Sequence, residues 1–183
     1  MSQSETPRRR VAITGIGVVS PIGIGKEAFW RSLLERRSGI GPFQQFSSER
    51  LPIHIAGEVR DFDPKELIPQ RKSLKVMCRE IQLGVAAAHL AIQDAGVQPG
   101  DMDPERWGVD YGANLMLTVP DELGHSVAAC LDEQGRFHFE RWGERGMGEM
   151  FPLWLLKYLP NMPACHIGIA YDARGPNNTI TQG

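Results

Sequence analysis

The sequence holds only three cysteines, Cys78, Cys130 and Cys165, widely separated and with no CxxC pair. An odd count without a disulfide framework, behind an N-terminus (MSQSETPRRR) that has no apolar signal core, points to free thiols in a reducing cytosol. No apolar run approaches the roughly eighteen residues of a membrane-spanning helix. Charge of one sign is also lacking. The net charge is −2, which argues against non-specific nucleic-acid binding. The only basic cluster, Arg8 to Arg10, reads as a solvated lead-in over residues 1–9. The five histidines show no i, i+4 or CxxC partner spacing that would suggest a metal. The expectation is a cytoplasmic protein without membrane, nucleic-acid, metal or cofactor partners. In that setting the sequon Asn177-Asn178-Thr179 is a chance match.

What is present fits a globular core: hydrophobic residues are 42% of 183, enough for one domain or for half of a larger two-part domain. Val11 to Val19 (VAITGIGVV) is apolar on both alternations and predicts a strand covered on both faces. A helix follows near Lys26 to Arg37, with Phe29, Leu33, Trp30 and Leu34 as its stripe. Gly41 to Pro52 reads as a polar loop pinned by Phe43 and Phe46. Ile53 to Val59 is a short strand, and Asp61 to Pro64 turns into a brief helical segment. The strongest periodicity runs from about Leu74 to Ala95. Ile81, Val85, Ala88, Ile92 and Ala95 follow a 3.6-residue period, with a second apolar face at Leu83, Ala87 and Leu90.

Trp107 to Leu117 contains a strand, and Asp121 to Leu131 reads as a helix. Residues 132–148, polar and glycine-rich, read as a loop excursion. Met150 to Tyr158 predicts a short apolar helix. A helix of small residues around Ala164, Gly168 and Ala170 comes next, then Arg174-Gly175-Pro176 and a β-branched run. The alternation of strands and helices predicts a layered α/β fold.

Two motifs invite chemistry. Gly15-Ile16-Gly17-Val18-Val19-Ser20 approximates the GxGxxG dinucleotide fingerprint. However, Ser20 replaces the third glycine, Pro21-Ile22-Gly23 intervenes before the helix, and the acidic position about twenty residues on is Glu35, inside a helix. A tight strand-to-loop turn is the better reading. Cys165-His166 suggests a nucleophile and base, yet adjacent helical residues diverge by about 100°. A structural thiol and a packed, hydrogen-bonded imidazole are expected instead. Asp61/Asp63 and Asp101/Asp103 flank prolines and suit turns.

Taken together, several segments resemble the N-terminal half of a β-ketoacyl synthase, a condensing enzyme of the thiolase-like superfamily. The resemblance rests on Arg10 to Gly23, on Trp30, Leu33-Leu34 and Ser38-Gly39-Ile40, and on Phe62-Asp63, Met77, Gln82 and Asp94-Ala95-Gly96. It continues through Asn161-Met162, His166 and Arg174-Gly175-Pro176. It implies a thiolase-like α-β-α layered fold, with residues 10–183 as an incomplete synthase N-terminal domain.

In that family the strand after Gly-Pro leads to a nucleophilic cysteine at a helix N-terminus, where the dipole and backbone N–H groups stabilise the thiolate. The cysteine takes an acyl group from an acyl carrier protein thioester, and histidines of the C-terminal half assist decarboxylative condensation. Counting from Gly175-Pro176, that nucleophile would fall immediately after Gly183. No catalytic residue of the family is therefore carried by this chain, and no cofactor is implied. An acyl carrier protein and a homo- or heterodimer are the implied partners, in fatty acid or polyketide synthesis.

The sequence departs from the family at Gln182-Gly183, where Thr-Ala is usual, and at Met77-Cys78, where Met-Asp is usual. One alternative is a non-catalytic homologue acting as a chain-length-factor-like or dimerisation module. A nucleotide-binding α/β domain using Gly15-Ile16-Gly17 is a third.

Overall fold

A computed structural model describes residues 10–45 and 49–182. The expected lead-in over 1–9, Phe46 of the polar loop and Gly183 lie outside the described residues. The chain divides into two compact units, one of Met1–Asp61 with Ala87–Gln98 and one of Phe62–Ala86 with Pro99–Gly183.

In the first unit, β1 (Val19–Ser20) and β2 (Gly23–Ile24) form a small antiparallel hairpin that feeds α1 (Lys26–Leu34). β3 (Ile40–Pro42) and β4 (Ile55–Gly57) form a second antiparallel pair. Helix α1 starts at Gly25, whose φ of 85° suits a residue without a β-carbon.

The run from Val11 corrects the sequence reading. Its ladder is confined to Val19 and Ser20, and Val11 and Ile13 are 94% and 85% exposed. A strand exists only through its ladder partners, and among the described residues this run has none before Val19. Its glycines instead lie against the main chain of the helix carrying Ala87, Ala91 and Ala95. Trp30, Leu33 and Leu34, the expected stripe of α1, are also exposed.

The second unit is built on a parallel pair, β5 (Val109–Ala113) beside β6 (Asn177–Thr181), in register from Val109 opposite Asn177 to Ala113 opposite Thr181. Parallel neighbours need a long crossover. Here it comprises α4 (Pro120–Ala129), α5 (Trp154–Tyr158) and α6 (Met162–Tyr171). Helix α6 is apolar all round, with Pro163, Ala164, His166, Ile167 and Tyr171 buried, which is the composition of an enclosed helix.

The long periodic segment is broken in two. A 3₁₀ segment Arg71–Val76 precedes α3 (Arg79–Asp94), and Met77 between them is extended. Met77 and Cys78 are buried, and Gln82 Nε2 donates to the Met77 carbonyl at 3.1 Å. Ile81, Val85 and Ala86 are the most enclosed residues of α3; full burial of Ile81 alone is worth roughly 1.5–3 kcal/mol. A brief helix, α2 (Pro64–Leu67), starts at Asp63, whose carboxylate accepts from Lys65 N at 2.8 Å.

Residues 132–148 are ordered by local bonds. A β-bridge joins Leu131 to Phe137, and short helical turns cover Phe139–Arg141, Trp142–Gly146 and Met147–Glu149. The turns close over Cys130, which has no exposed surface.

Candidate functional site

The best-defined construction in the second unit aims β6. Helix α6 ends at Asp172 in the left-handed conformation (φ 54°), and Arg174 grips the Asp172 carboxylate with Nε and Nη2 at 2.7 and 3.0 Å. The chain then docks backbone to backbone. Arg174 N donates to the Pro104 carbonyl (2.8 Å), Gly175 N to that of Trp107 (3.0 Å), and Val109 N to that of Pro176 (2.8 Å).

Glycine is required at this crossing. A β-carbon on Gly175 would stand 2.8 Å from the Trp107 carbonyl oxygen, and one on Gly108 would stand 2.9 Å from that of Pro176. Asn177 Nδ2 adds a bond to the Ala164 carbonyl (3.1 Å), tying the first residue of β6 to α6. In parallel sheets, chemistry gathers outside the carboxyl ends of the strands. Both β5 and β6 deliver their carboxyl ends to one place, beyond Ala113 and Thr181.

The candidate catalytic side chains weighed above do not meet there as a reactive set. Cys165 is half-buried and receives Asn161 Nδ2 at 3.7 Å. His166 is buried, and burial holds its pKa below the usual imidazole value. Its Nε2 has no partner among the described residues, so the expected hydrogen bond is not made at that nitrogen. Cys78 is buried beside Met116 (Sγ to Sδ 3.9 Å), and burial pushes its thiol pKa up to about 11, leaving it protonated and unreactive at neutral pH. Thr179 Oγ1, on β6, is buried and also lacks a partner among the described residues. No group of three or more His, Cys, Asp or Glu able to hold a metal occurs among the described residues, and no described helix is long and apolar enough to cross a membrane.

Gly15-Ile16-Gly17 is occupied by protein. A β-carbon on Gly15 would fall 2.6 Å from Ala95 N, and one on Gly17 would fall 2.5 Å from Ala91 N. The space a pyrophosphate would need is filled by the main chain of α3, and the glycines serve that packing.

One feature escaped the sequence reading. Lys65, Arg71, Lys72 and Lys75 are all exposed within a short stretch. None is ion-paired among the described residues. Gln70 Nε2 secures the segment to the Ile169 carbonyl at 3.3 Å. The signal was visible as RKSLK at residues 71–75, beginning just ahead of the helix expected from about Leu74, but only Arg8 to Arg10 were read as a basic cluster.

Comparison with known proteins settles the ancestry. The family model for the β-ketoacyl synthase N-terminal domain matches residues 8–182. The chain belongs to this family. It is 32% identical over 174 residues to 3-oxoacyl-[acyl-carrier-protein] synthase 2 of Vibrio harveyi, covering 95% of this chain and 38% of that protein. It is 31% identical over 173 residues to the Coxiella burnetii protein of the same name, covering 94% and 38%. The chain thus spans well under half the length of these relatives.

Among solved structures it resembles the ishigamide ketosynthase/chain length factor, with TM-score 0.70 and 30% identity over 96% of this chain and 40% of that one. It also shares its fold with a type II polyketide ketosynthase solved with its acyl-carrier protein, at TM-score 0.66 and 17% identity over 94% and 41%. The fold is thiolase-like α/β, and the chain is ketosynthase-like.

Proposed function

We propose that this chain is the nucleophile-delivering part of a β-ketoacyl-[acyl-carrier-protein] synthase acting in the cytoplasm, in fatty acid or polyketide synthesis. The observation that supports the reading is the anchored parallel alignment of β6 on β5, which aims the chain past Thr181 at the carboxyl ends of both strands. In the proposed reaction a cysteine thiolate at that position attacks the acyl thioester and the carrier-protein thiol leaves. Loss of CO₂ from a malonyl thioester then generates a carbanion, which attacks the acyl-cysteine and releases the thiolate. The residues of this chain hold the nucleophile's approach, and the proton-handling groups lie outside it. Residues 132–148 remain, in this reading, an excursion from the domain.

The proposed partner is an acyl carrier protein. The cationic stretch Lys65, Arg71, Lys72 and Lys75 suits an anionic partner surface, because exposed unpaired charges steer association. A second synthase-type subunit is the other proposed partner, supported by the exposed apolar residues.

A second reading, a chain-length-factor-like subunit without the nucleophile, is favoured by Gln182-Gly183. One experiment separates the two. The coding sequence is extended past codon 183, and the full-length product is incubated with an acyl carrier thioester and analysed by peptide mass spectrometry. An acyl adduct on a cysteine following Gly183 is the expected result; another residue there, or no adduct, supports the non-catalytic reading.

A further inference from the structure

The excursion 132–148 contains a side-chain arrangement that the synthase reading does not use. His138 Nε2 lies 3.0 Å from Asp132 Oδ2, and its Nδ1 lies 2.8 Å from Glu140 Oε1. A neutral imidazole carries one N–H and can donate to only one of two carboxylates; the imidazolium donates to both. The observed geometry is that of the charged ring. Asp132 is the hub. Its side chain is 11% exposed and also accepts from Gln134 N (3.0 Å), Arg136 N (2.8 Å) and Arg136 Nε (2.9 Å). Glu140 is 74% exposed and belongs to the next turn, Phe139–Arg141.

We infer that His138 is a proton-operated latch, which as imidazolium ties the turn Phe139–Arg141 to the Asp132 hub and on losing its proton lets that turn go. The order of release follows from exposure. Asp132 keeps its ring bond because desolvation leaves it few alternatives, whereas the Glu140 carboxylate is readily solvated. The freed turn carries Phe139 and leads directly into Trp142, whose ring stacks at a tilt on Phe137 (centroids 6.2 Å).

The groups that set the titration lie on the excursion itself: Asp132 first, then Glu140, with the Arg141 charge opposing. Arg136 bonds the same Asp132 carboxylate through Nε at 2.9 Å. Asp132 and Glu140 raise the His138 pKa above 6.5. The latch is therefore closed below that value and opens as pH rises through the raised pKa.

Two measurements on the intact protein test this. The first is histidine C2 hydrogen–deuterium exchange by mass spectrometry across pH, which should give His138 a half-exchange pH above 6.5. Asp132→Asn should lower it, and Glu140→Gln should lower it less. The second is amide exchange of the peptide 139–149, which should accelerate by roughly three- to tenfold, the scale of one ordinary solvent-exposed hydrogen bond, across that same titration. Normalising to His138→Gln removes the intrinsic pH dependence of exchange, and that variant should be loose at every pH. A His138 titrating at or below 6.5 overturns the latch. So does a normalised amide exchange in 139–149 that ignores the titration.

Discussion

Gly15 rests on the main chain of α3 so closely that a β-carbon there would stand 2.6 Å from Ala95 N, and Gly17 repeats the relation one turn back at Ala91. A real β-carbon does not tolerate such an approach to rigid backbone, so Gly15→Ala and Gly17→Ala must push this run and the helix apart. Each should destabilise the protein by roughly 1–3 kcal/mol, the usual cost of overpacking, read by urea denaturation. Titration with a dinucleotide should remain flat in the parent protein. Saturable binding abolished by these substitutions would restore the nucleotide reading.

That pair also shows what could be read from sequence and what could not. The glycines read as a tight turn, and the close approach they serve was not legible, because the partner is a small-residue face of a helix some seventy residues further along. The regular elements were legible wherever local pattern and tertiary context agree, as in α3, β5, α6 and β6. Val11 to Val19 was misread because two-sided apolarity records a need for cover, and the cover itself is a tertiary fact. The break at Met77-Cys78 was hidden because both residues are apolar and continue the helical period while the backbone turns extended. The strand after Gly175-Pro176 was implied by family resemblance, but its pairing with β5 and the docking of Arg174 and Gly175 on Pro104 and Trp107 are a long-range register that no local pattern encodes.

Gly84 on α3 supports Tyr111 of β5 in the same way. A β-carbon at Gly84 would come 3.0 Å from the ring Cζ and closer still to the hydroxyl. Gly84→Ala should cost roughly 1–3 kcal/mol. Adding Tyr111→Phe removes the nearest atom, so the double variant should recover part of that loss. A thermodynamic cycle by denaturant unfolding measures the coupling, and strict additivity would mean the two sites do not touch.

Lys26 and Asp94 form an ion pair, and Asp94 Oδ2 also accepts from Ile16 N at 2.9 Å. The Lys26 hydrogen bond first and the Ile16 backbone hydrogen bond second depress the Asp94 pKa below 3.8, with the Lys26 charge adding to them, while the Asp94 hydrogen bond raises that of Lys26 above 10.5. A depressed carboxylate adds stability above its unfolded pKa and loses it as pH falls through the folded one. A raised lysine adds stability below its unfolded pKa and loses it as pH rises through the folded one. The pair should therefore support the fold between roughly pH 5 and 10. Asp94→Asn keeps an acceptor for Ile16 and should flatten the acid limb of a stability-versus-pH curve; an unchanged limb would assign the acid sensitivity elsewhere.

The cationic stretch makes a prediction about the proposed carrier partner. Arg71→Glu with Lys72→Glu should weaken carrier-protein binding by roughly tenfold or more at low ionic strength, mainly by slowing association, and the difference should shrink as salt is added. Surface plasmon resonance at two salt concentrations reads both effects. Because both side chains are exposed, the variants should unfold at the parent temperature. Undiminished binding would move the docking surface elsewhere.

The final prediction concerns the open face of the first unit. Val11 and Ile13 stand almost wholly in solvent on a run whose backbone has no ladder partner before Val19 among the described residues. An apolar extended edge is a template for pairing with another chain, and Trp30, Leu33 and Leu34 add exposed apolar surface in the same unit. The isolated 183-residue chain should therefore self-associate, with an apparent mass in light scattering that rises with concentration. Val11→Lys with Ile13→Lys places charge on that edge and should shift the distribution toward the 20.4 kDa monomer without lowering helix content by circular dichroism. If the parent chain runs as a concentration-independent monomer, this run is not sticky.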